Sequence, residues 1–280
     1  MEYVTLNNGV QMPKLGLGVF RMDDAEVRKT VPVALEEGYR LIDTASRYYN
    51  EKAVGAALAE SGVPRADLFV TTKLWFKDYG YAKTKEAFQV SLDNLGLDYL
   101  DLYLMHQPFN DYYGAWRAME ELLDEGRVRA IGLSNFYADR FLDLVTHNRV
   151  IPAVNQRETH PLNQQVDTLA LLQRHGTVLQ AWGPLAQGNQ EVLTSSALAN
   201  IAAAHGKSVA QVILRWLVQR DVTMVVKSTR VARLRENIDI FDFHLSEGEM
   251  SIIGGFDRHQ PLAGFTHQDP RMIELLLTLA

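Results

Sequence analysis

Residues 68–106 read LFVTTKLWFKDYGYAKTKEAFQVSLDNLGLDYLDLYLMH. An apolar strand pattern over 68–73 gives way to helical periodicity over 83–95, closed by Gly96, and a second apolar strand pattern follows over 99–106. Strand, helix and strand in this order describe two parallel strands joined by a crossover helix. Working outward, the same unit recurs as strands over 14–20, 40–43, 128–134, 153–156, 177–182 and 224–227. The helical stretches that accompany them cover 24–37, 51–61, 113–125, 138–147, 163–175, 197–219 and 230–240. Gly38, Gly62, Gly126 and Gly176 stand where left-handed helix terminators belong. Eight such units are the number that closes a parallel α/β barrel, a (β/α)8 or TIM barrel; an open doubly wound sheet shares the local pattern and stays the alternative. Ahead of the first unit, short strands over 4–6 and 10–12 flank Asn7-Asn8-Gly9, a turn suited to positive φ, which predicts an N-terminal β-hairpin. The tail 254–280, rich in Gly, His and Pro before an apolar end, predicts a C-terminal loop over the barrel mouth. No linker or low-complexity segment interrupts the run, so residues 1–280 are expected to form a single domain.

Composition narrows the chemistry. The chain has 280 residues, 47% of them hydrophobic and 22% charged, enough to bury a sizeable core. A net charge of −6 offers no global field for nucleic acid or anionic lipid, so an anionic ligand must be held by a local cluster. No cysteine is present, which removes disulfides, thiol nucleophiles and thiolate zinc sites. None of the eight histidines has metal-ligand spacing, so a metal-free mechanism is expected. No apolar run approaches the roughly 18 residues of a membrane span and the first residues do not resemble a signal peptide, so a soluble cytoplasmic protein is expected.

The strand ends are more informative than the strands. Apolar segments finish in Asp43, Lys73, His106, Ser134-Asn135, Gln156, Trp182 and Lys227. In parallel barrels the crossover loops build the active site at this end of the strands. Singly, each residue is as well read as a cap or a solvated side chain; in succession they converge on one cleft. Tyr48 lies five positions beyond Asp43, so its phenol can reach the cleft that Lys73 and His106 enter. An ion pair between Asp43 and Lys73 would satisfy both charges, and the ammonium is expected to lower the phenol's pKa and make Tyr48 a usable general acid. His106 would hydrogen-bond a substrate oxygen.

A second group looks anion-binding. Lys227-Ser228-Thr229 stands between the last strand and a helix carrying Arg230, Arg233 and Arg235, which matches the phosphate site of barrels. Other motifs fail: Gly16-Leu17-Gly18-Val19-Phe20-Arg21 puts an arginine where a dinucleotide fingerprint needs its third glycine, and Gly206-Lys207-Ser208 has Ile201 where a phosphate loop needs its first.

These residues resemble a known family. The segment Gly38-Tyr39-Arg40-Leu41-Ile42-Asp43-Thr44-Ala45-Ser46-Arg47-Tyr48-Tyr49-Asn50-Glu51 closely resembles a signature of the aldo-keto reductases. Leu102 to His106, Gly132 to Phe136, and Val226-Lys227-Ser228 with Arg233 and Asn237 follow in the family's order. The resemblance implies a (β/α)8 barrel that reduces aldehydes or ketones with NADPH. It places the catalytic tetrad on Asp43, Tyr48, Lys73 and His106. It gives Ser134, Asn135 and Gln156 to the nicotinamide carboxamide, Trp182 to stacking on the ring, and Lys227, Ser228, Thr229 and Arg233 to the 2′-phosphate, with Asn237 toward the adenine. Gly18, Val19, Gly183, Leu185 and Gln187 complete the implied NADP(H) contacts, and Phe20, Trp75, His106 and Gln107 the substrate contacts. Gln107 stands where tryptophan is common, so one aromatic wall is missing, and Gly183 stands where many relatives have serine. Trp182-Gly183-Pro184-Leu185 is most similar to prokaryotic diketogluconate or methylglyoxal reductases. A monomer acting on small carbonyl compounds is the implied condition. Two other readings use the same residues: a Schiff-base aldolase built on Lys73, and a module that binds NADPH without turnover.

Overall fold

The computed structural model describes residues 1–278; the last two residues of the tail, 279 and 280, lie outside the described residues. Strands β1 (Tyr3–Thr5) and β2 (Gln11–Pro13) pair antiparallel as the expected hairpin. The alternation then runs β3 (Leu15–Gly18), α1 (Asp24–Glu36), β4 (Leu41–Asp43), α2 (Glu51–Glu60), β5 (Phe69–Leu74), α3 (Tyr81–Leu95), β6 (Leu100–Met105) and α4 (Tyr112–Asp124). It continues with β7 (Val128–Ser134), α5 (Ala138–His147), β8 (Val154–Glu158), α6 (Val166–Arg174), β9 (Val178–Trp182), α7 (Gln190–Leu193), α8 (Ser196–His205), α9 (Val209–Gln219), β10 (Thr223–Val226) and α10 (Val231–Ile238). Helices α11 (Glu247–Gly254) and α12 (Pro270–Thr278) follow the barrel. Strands β3 to β10 close on themselves, with β10 pairing both β9 and β3 in parallel register, which settles the barrel against the open sheet.

Two apolar layers hold this arrangement. Inside the barrel, Leu41, Leu102, Leu104, Ala130, Val154 and Val225 pack together, and Leu6 and Met12 of the hairpin plug the end where the strands begin. Outside, the buried faces of the helices meet the outward residues of the strands. Gly16 answers to packing rather than to a dinucleotide fingerprint, since a Cβ there would stand 2.2 Å from Leu41 Cδ2, which would have to move.

Three local readings need correction. The single helical stretch expected over 197–219 is two helices. Gly206 ends α8 with φ +62°, and Ser208 opens α9 with a capping box to Gln211, so the Gly-Lys-Ser run is a stop followed by a start. The helix expected from 163 begins at Val166, because His160 and Asn163 form a β-bridge and Gln165 adopts φ +56°. The tail expected as a loop is irregular only over 255–269 and then forms α12. It still approaches the mouth: the Leu262 amide donates to Glu158 Oε1 at 2.6 Å, and the His267 ring stands edge-on to Trp182 at 6.4 Å. Among the described residues no helix is long and apolar enough to cross a membrane.

Candidate active site

The strand ends place the polar residues at the barrel mouth. Lys73, on β5, is fully buried, and Asp43, ending β4, is 2% exposed. Their ion pair spans 2.5 Å from Lys73 Nζ to Asp43 Oδ1. Beyond Asp43 the chain makes a 3-10 turn, Ser46–Tyr48, pinned by a hydrogen bond from Ser46 Oγ to the Lys73 carbonyl at 2.9 Å. That turn carries the Tyr48 phenol back over the ion pair, 3.3 Å from Lys73 Nζ. The His106 ring, just past β6, is edge-on to Tyr48 at 5.7 Å and to Trp75 at 5.2 Å. Asp43, Tyr48, Lys73 and His106 thus stand together.

Counting protons says what each group can do. The Lys73 ammonium has three N–H donors and spends them on Asp43 Oδ1, the Thr44 carbonyl at 2.9 Å and Tyr48 Oη. An ammonium cannot accept, so the phenol oxygen accepts from Lys73 and the phenol's own proton is left to donate elsewhere. Burial pulls the Lys73 ammonium down, but Asp43 and Tyr48 together outweigh it and hold its pKa above the ordinary value. An ammonium so fully engaged offers no lone pair for carbonyl addition, which argues against the Schiff-base reading.

The expected lowering of the Tyr48 pKa is corrected by the structure. Enclosure in the mouth pushes the phenol above its ordinary value, and the opposing Lys73 ammonium recovers only part of that shift because Asp43 offsets its charge. Burial, followed by the nearby charges of Lys73 and Arg47, holds the His106 imidazole well below its ordinary value, so the ring is neutral. His267 is itself pulled down to about 3 by burial and by Arg157.

The other expected positions separate into a dry group and a wet one. Ser134 ends β7 and Asn135 follows it; Asn135, at φ +64°, donates from Nδ2 to the His106 carbonyl at 3.1 Å and to Ser134 Oγ at 3.2 Å. Its Oδ1 accepts from Trp182 Nε1 at 3.0 Å, which fixes the half-buried indole at the end of β9. Gln156 Nε2 donates to Asp43 Oδ2 at 2.9 Å. Gly18 pairs with Asp43 across β3 and β4, and the Val19 amide donates to the Asp43 carbonyl. Gly183, Leu185 and Gln187 form the turn after β9, with Gly183 at φ +64° and Gln187 exposed at φ +51°. Past β10, Lys227, Thr229, Arg230 and Arg233 are exposed, while Ser228 and Asn237 are buried. Ser228 Oγ accepts from the Arg230 amide at the start of α10. Arg235 belongs elsewhere, since its Nε pairs with Glu37 Oε1 at 2.7 Å.

On the substrate side, Phe20 is 47% exposed and leans on Tyr48 at 4.9 Å between ring centroids. Trp75 and Gln107 are buried, and the Tyr79 phenol brackets the Gln107 backbone, donating to its carbonyl at 2.8 Å and accepting from its amide at 3.1 Å. Several residues that shape the mouth escaped the sequence reading. Asn50 ties the Tyr48 turn to the first barrel loop through Thr44 Oγ1 and the Val19 and Met22 carbonyls. Gln180 accepts from Gln156 inside the barrel. A glutamine on the inward face of an otherwise apolar strand was a readable signal; the reach of His267 from the tail had none.

This geometry has relatives. A model of the Aldo/keto reductase family matches residues 14–258. The morphine 6-dehydrogenase of Pseudomonas putida is 46% identical over 91% of this chain and 90% of its own length. The glyoxal reductase of Bacillus subtilis is 46% identical over 92% of this chain and 94% of its own. Among solved structures, a Bombyx mori aldo-keto reductase in complex with NADP superposes with a TM-score of 0.89 at 36% identity, covering 93% of this chain and 94% of that one. With the mouth residues held on the ends of a closed parallel barrel and likeness over nine-tenths of the chain, the protein belongs to the aldo/keto reductase family and is an oxidoreductase.

Proposed function

We propose that this single-domain barrel, residues 1–280, reduces aldehydes and ketones to alcohols with NADPH, and that Tyr48 is the general acid. One observation carries the reading: Lys73 Nζ lies 2.5 Å from Asp43 Oδ1 and 3.3 Å from Tyr48 Oη, so the phenol accepts from the ammonium and keeps its own proton for a substrate oxygen. Neutral His106, beside Tyr48, offers a second hydrogen bond to that oxygen without competing as an acid.

The donor set fits a nicotinamide dinucleotide with a 2′-phosphate. Trp182 has its indole N–H committed sideways to Asn135, which leaves a ring face for stacking. Ser134, Asn135 and Gln156 supply polar contacts for a carboxamide at the same level of the mouth. Lys227 and Arg233 are exposed cations near the start of an eight-residue helix, α10, suited to a phosphate with Ser228 and Thr229, and buried Asn237 lies one turn beyond Arg233. A bound nicotinamide supplies hydride to the carbonyl carbon. This chain's residues then hold the carbonyl against Tyr48 and His106, between the walls offered by Phe20, Trp75 and Gln107.

The test is oxidation of NADPH, followed by absorbance, with a panel of small aldehydes, α-oxo aldehydes and ketones. Turnover with NADPH that exceeds turnover with NADH supports the proposal. Tight NADPH binding without turnover across the panel refutes it in favour of a sensing role.

A further inference from the structure

Inside the barrel, one layer below the mouth, a chain of hydrogen bonds runs from Lys73 through Asp43 and Gln156 to Gln180. Gln156 and Gln180 sit directly opposite each other on β8 and β9. Gln156 Nε2 donates to Asp43 Oδ2 at 2.9 Å and to Gln180 Oε1 at 2.7 Å. All three side chains are buried, Gln180 completely.

The charge at one end dictates the direction of every link. Asp43 bonds the Lys73 ammonium and can only accept, so Gln156 must turn its NH2 toward Asp43; the opposite flip would press oxygen against carboxylate. The second proton of that NH2 then meets Gln180, which must present its oxygen. This leaves Gln180 Nε2 as a buried donor without a partner. A methionine or leucine would fill the same space with no such orphan, so what the amide adds is the one bond it makes upward, through Oε1.

We propose that Gln180 is a positioning residue for the nicotinamide carboxamide: with Asp43 it takes both amide protons of Gln156 and leaves the Gln156 oxygen as the only group that side chain can offer. Gln156 is thereby an acceptor alone, matched to the NH2 of a carboxamide. Ser134 supplies the complement. Its Oγ accepts from Asn135 Nδ2, so its own proton is free to donate to the carboxamide oxygen. One acceptor and one donor in fixed places admit a single rotamer of the carboxamide and therefore orient the ring that bears it. Trp182 lies two residues beyond Gln180 on β9, which joins this orientation to the stacking surface.

The inference rests on the cofactor reading above, so calorimetric titration of the unaltered protein with NADPH comes first and decides that reading separately. The second measurement compares NADPH with 2′,5′-ADP, which carries the phosphate and adenine but no nicotinamide, on Gln180→Met and Gln180→Glu. Gln180→Met removes the acceptor at similar volume; Gln180→Glu, whose carboxyl is held protonated by burial near Asp43, keeps an acceptor oxygen there. The expected result for Gln180→Met is a loss of about tenfold in NADPH affinity, equivalent to about 1.4 kcal/mol, with 2′,5′-ADP unchanged within about twofold. Gln180→Glu should stay within about threefold of the unaltered protein for both ligands. If Gln180→Met does not fold, Gln180→Asn, whose shorter amide falls short of Gln156, takes its place. Unaltered NADPH affinity in the acceptor-less variant, an equal loss for both ligands, or a Gln180→Glu variant as weak as Gln180→Met each overturns the proposal.

Discussion

The two polar regions at the mouth of this barrel are built on opposite principles. Asp43 and Lys73 are almost entirely out of water, and their hydrogen-bonding capacity is used before any ligand arrives. Lys227, Arg230 and Arg233 are exposed, and among the described residues none of them pairs with a carboxylate; Lys227 reaches only the Arg21 carbonyl, at 3.1 Å. A group that must hold a proton at one place gains from low dielectric and fixed partners, because nothing has to reorganise during the reaction. A group that must capture an anion gains from staying solvated and unpaired, because an existing pair would have to be broken first. The first region should govern turnover and stability, and the second the capture of a 2′-phosphate and so selectivity between NADPH and NADH.

The largest expected effect tests the interior. Tyr48→Phe removes one oxygen while leaving the ring packed on Phe20 and His106, so NADPH affinity and melting temperature should hold while kcat falls about a thousandfold, the scale of general acid catalysis. A variant that retained a tenth of the rate would remove Tyr48 from the mechanism. Lys73→Met should lower kcat about a hundredfold and should also destabilise the fold by about 3–5 kcal/mol, because Asp43 is left buried without its counter-ion. Chemical denaturation of that variant checks the second figure, and unchanged stability would contradict the buried-pair account.

Arg233→Ala probes the exposed region and should do less. If Arg233 holds the 2′-phosphate, its loss should raise KM for NADPH about tenfold while kcat, stability and KM for NADH stay as they were. An equal loss with both cofactors would mean that Arg233 supports structure and does not read the 2′-phosphate.

The barrel was legible because each strand and helix announces itself locally, through period and through glycine terminators such as Gly96 and Gly206. The meeting of Asp43, Tyr48, Lys73 and His106 was legible for the same reason, since polar residues at the ends of successive parallel strands must converge. What escaped depends on contacts between distant parts of the chain. Gln156 and Gln180 were each assigned a strand, but the bond between them follows from the register of β8 with β9. The direction of the Tyr48 shift depends on the balance between enclosure and the Lys73 charge, two opposed quantities that no motif encodes. That the tail lies over the mouth was expected; that Leu262 and His267 make the contacts was not, since they lie more than 80 residues from their partners in sequence, where periodicity carries no information. The break between α8 and α9 was readable in Gly206-Lys207-Ser208 and was hidden by the strong apolar pattern running through it.

The smallest expected effect separates the two regions by pH alone. His106 is held well below its ordinary value of 6.5, so it stays neutral as pH falls from 8 to 6 and adds no inflection there. Tyr48 is held above its ordinary value of 10.0, so the acid for reduction stays protonated throughout that range and fails only at higher pH. The kcat for carbonyl reduction should therefore vary by less than about twofold between pH 6 and 8. The exposed cluster behaves differently, because the phosphate monoester it would hold takes up its second proton near pH 6, as phosphorylated side chains do at about that value. KM for NADPH should accordingly rise by a few-fold below about pH 6 while KM for NADH, which lacks that phosphate, stays level. A kcat inflection near 6.5 would place a titrating histidine in the proton path and dissolve the distinction between a dry interior that sets the rate and a wet cluster that reads the phosphate.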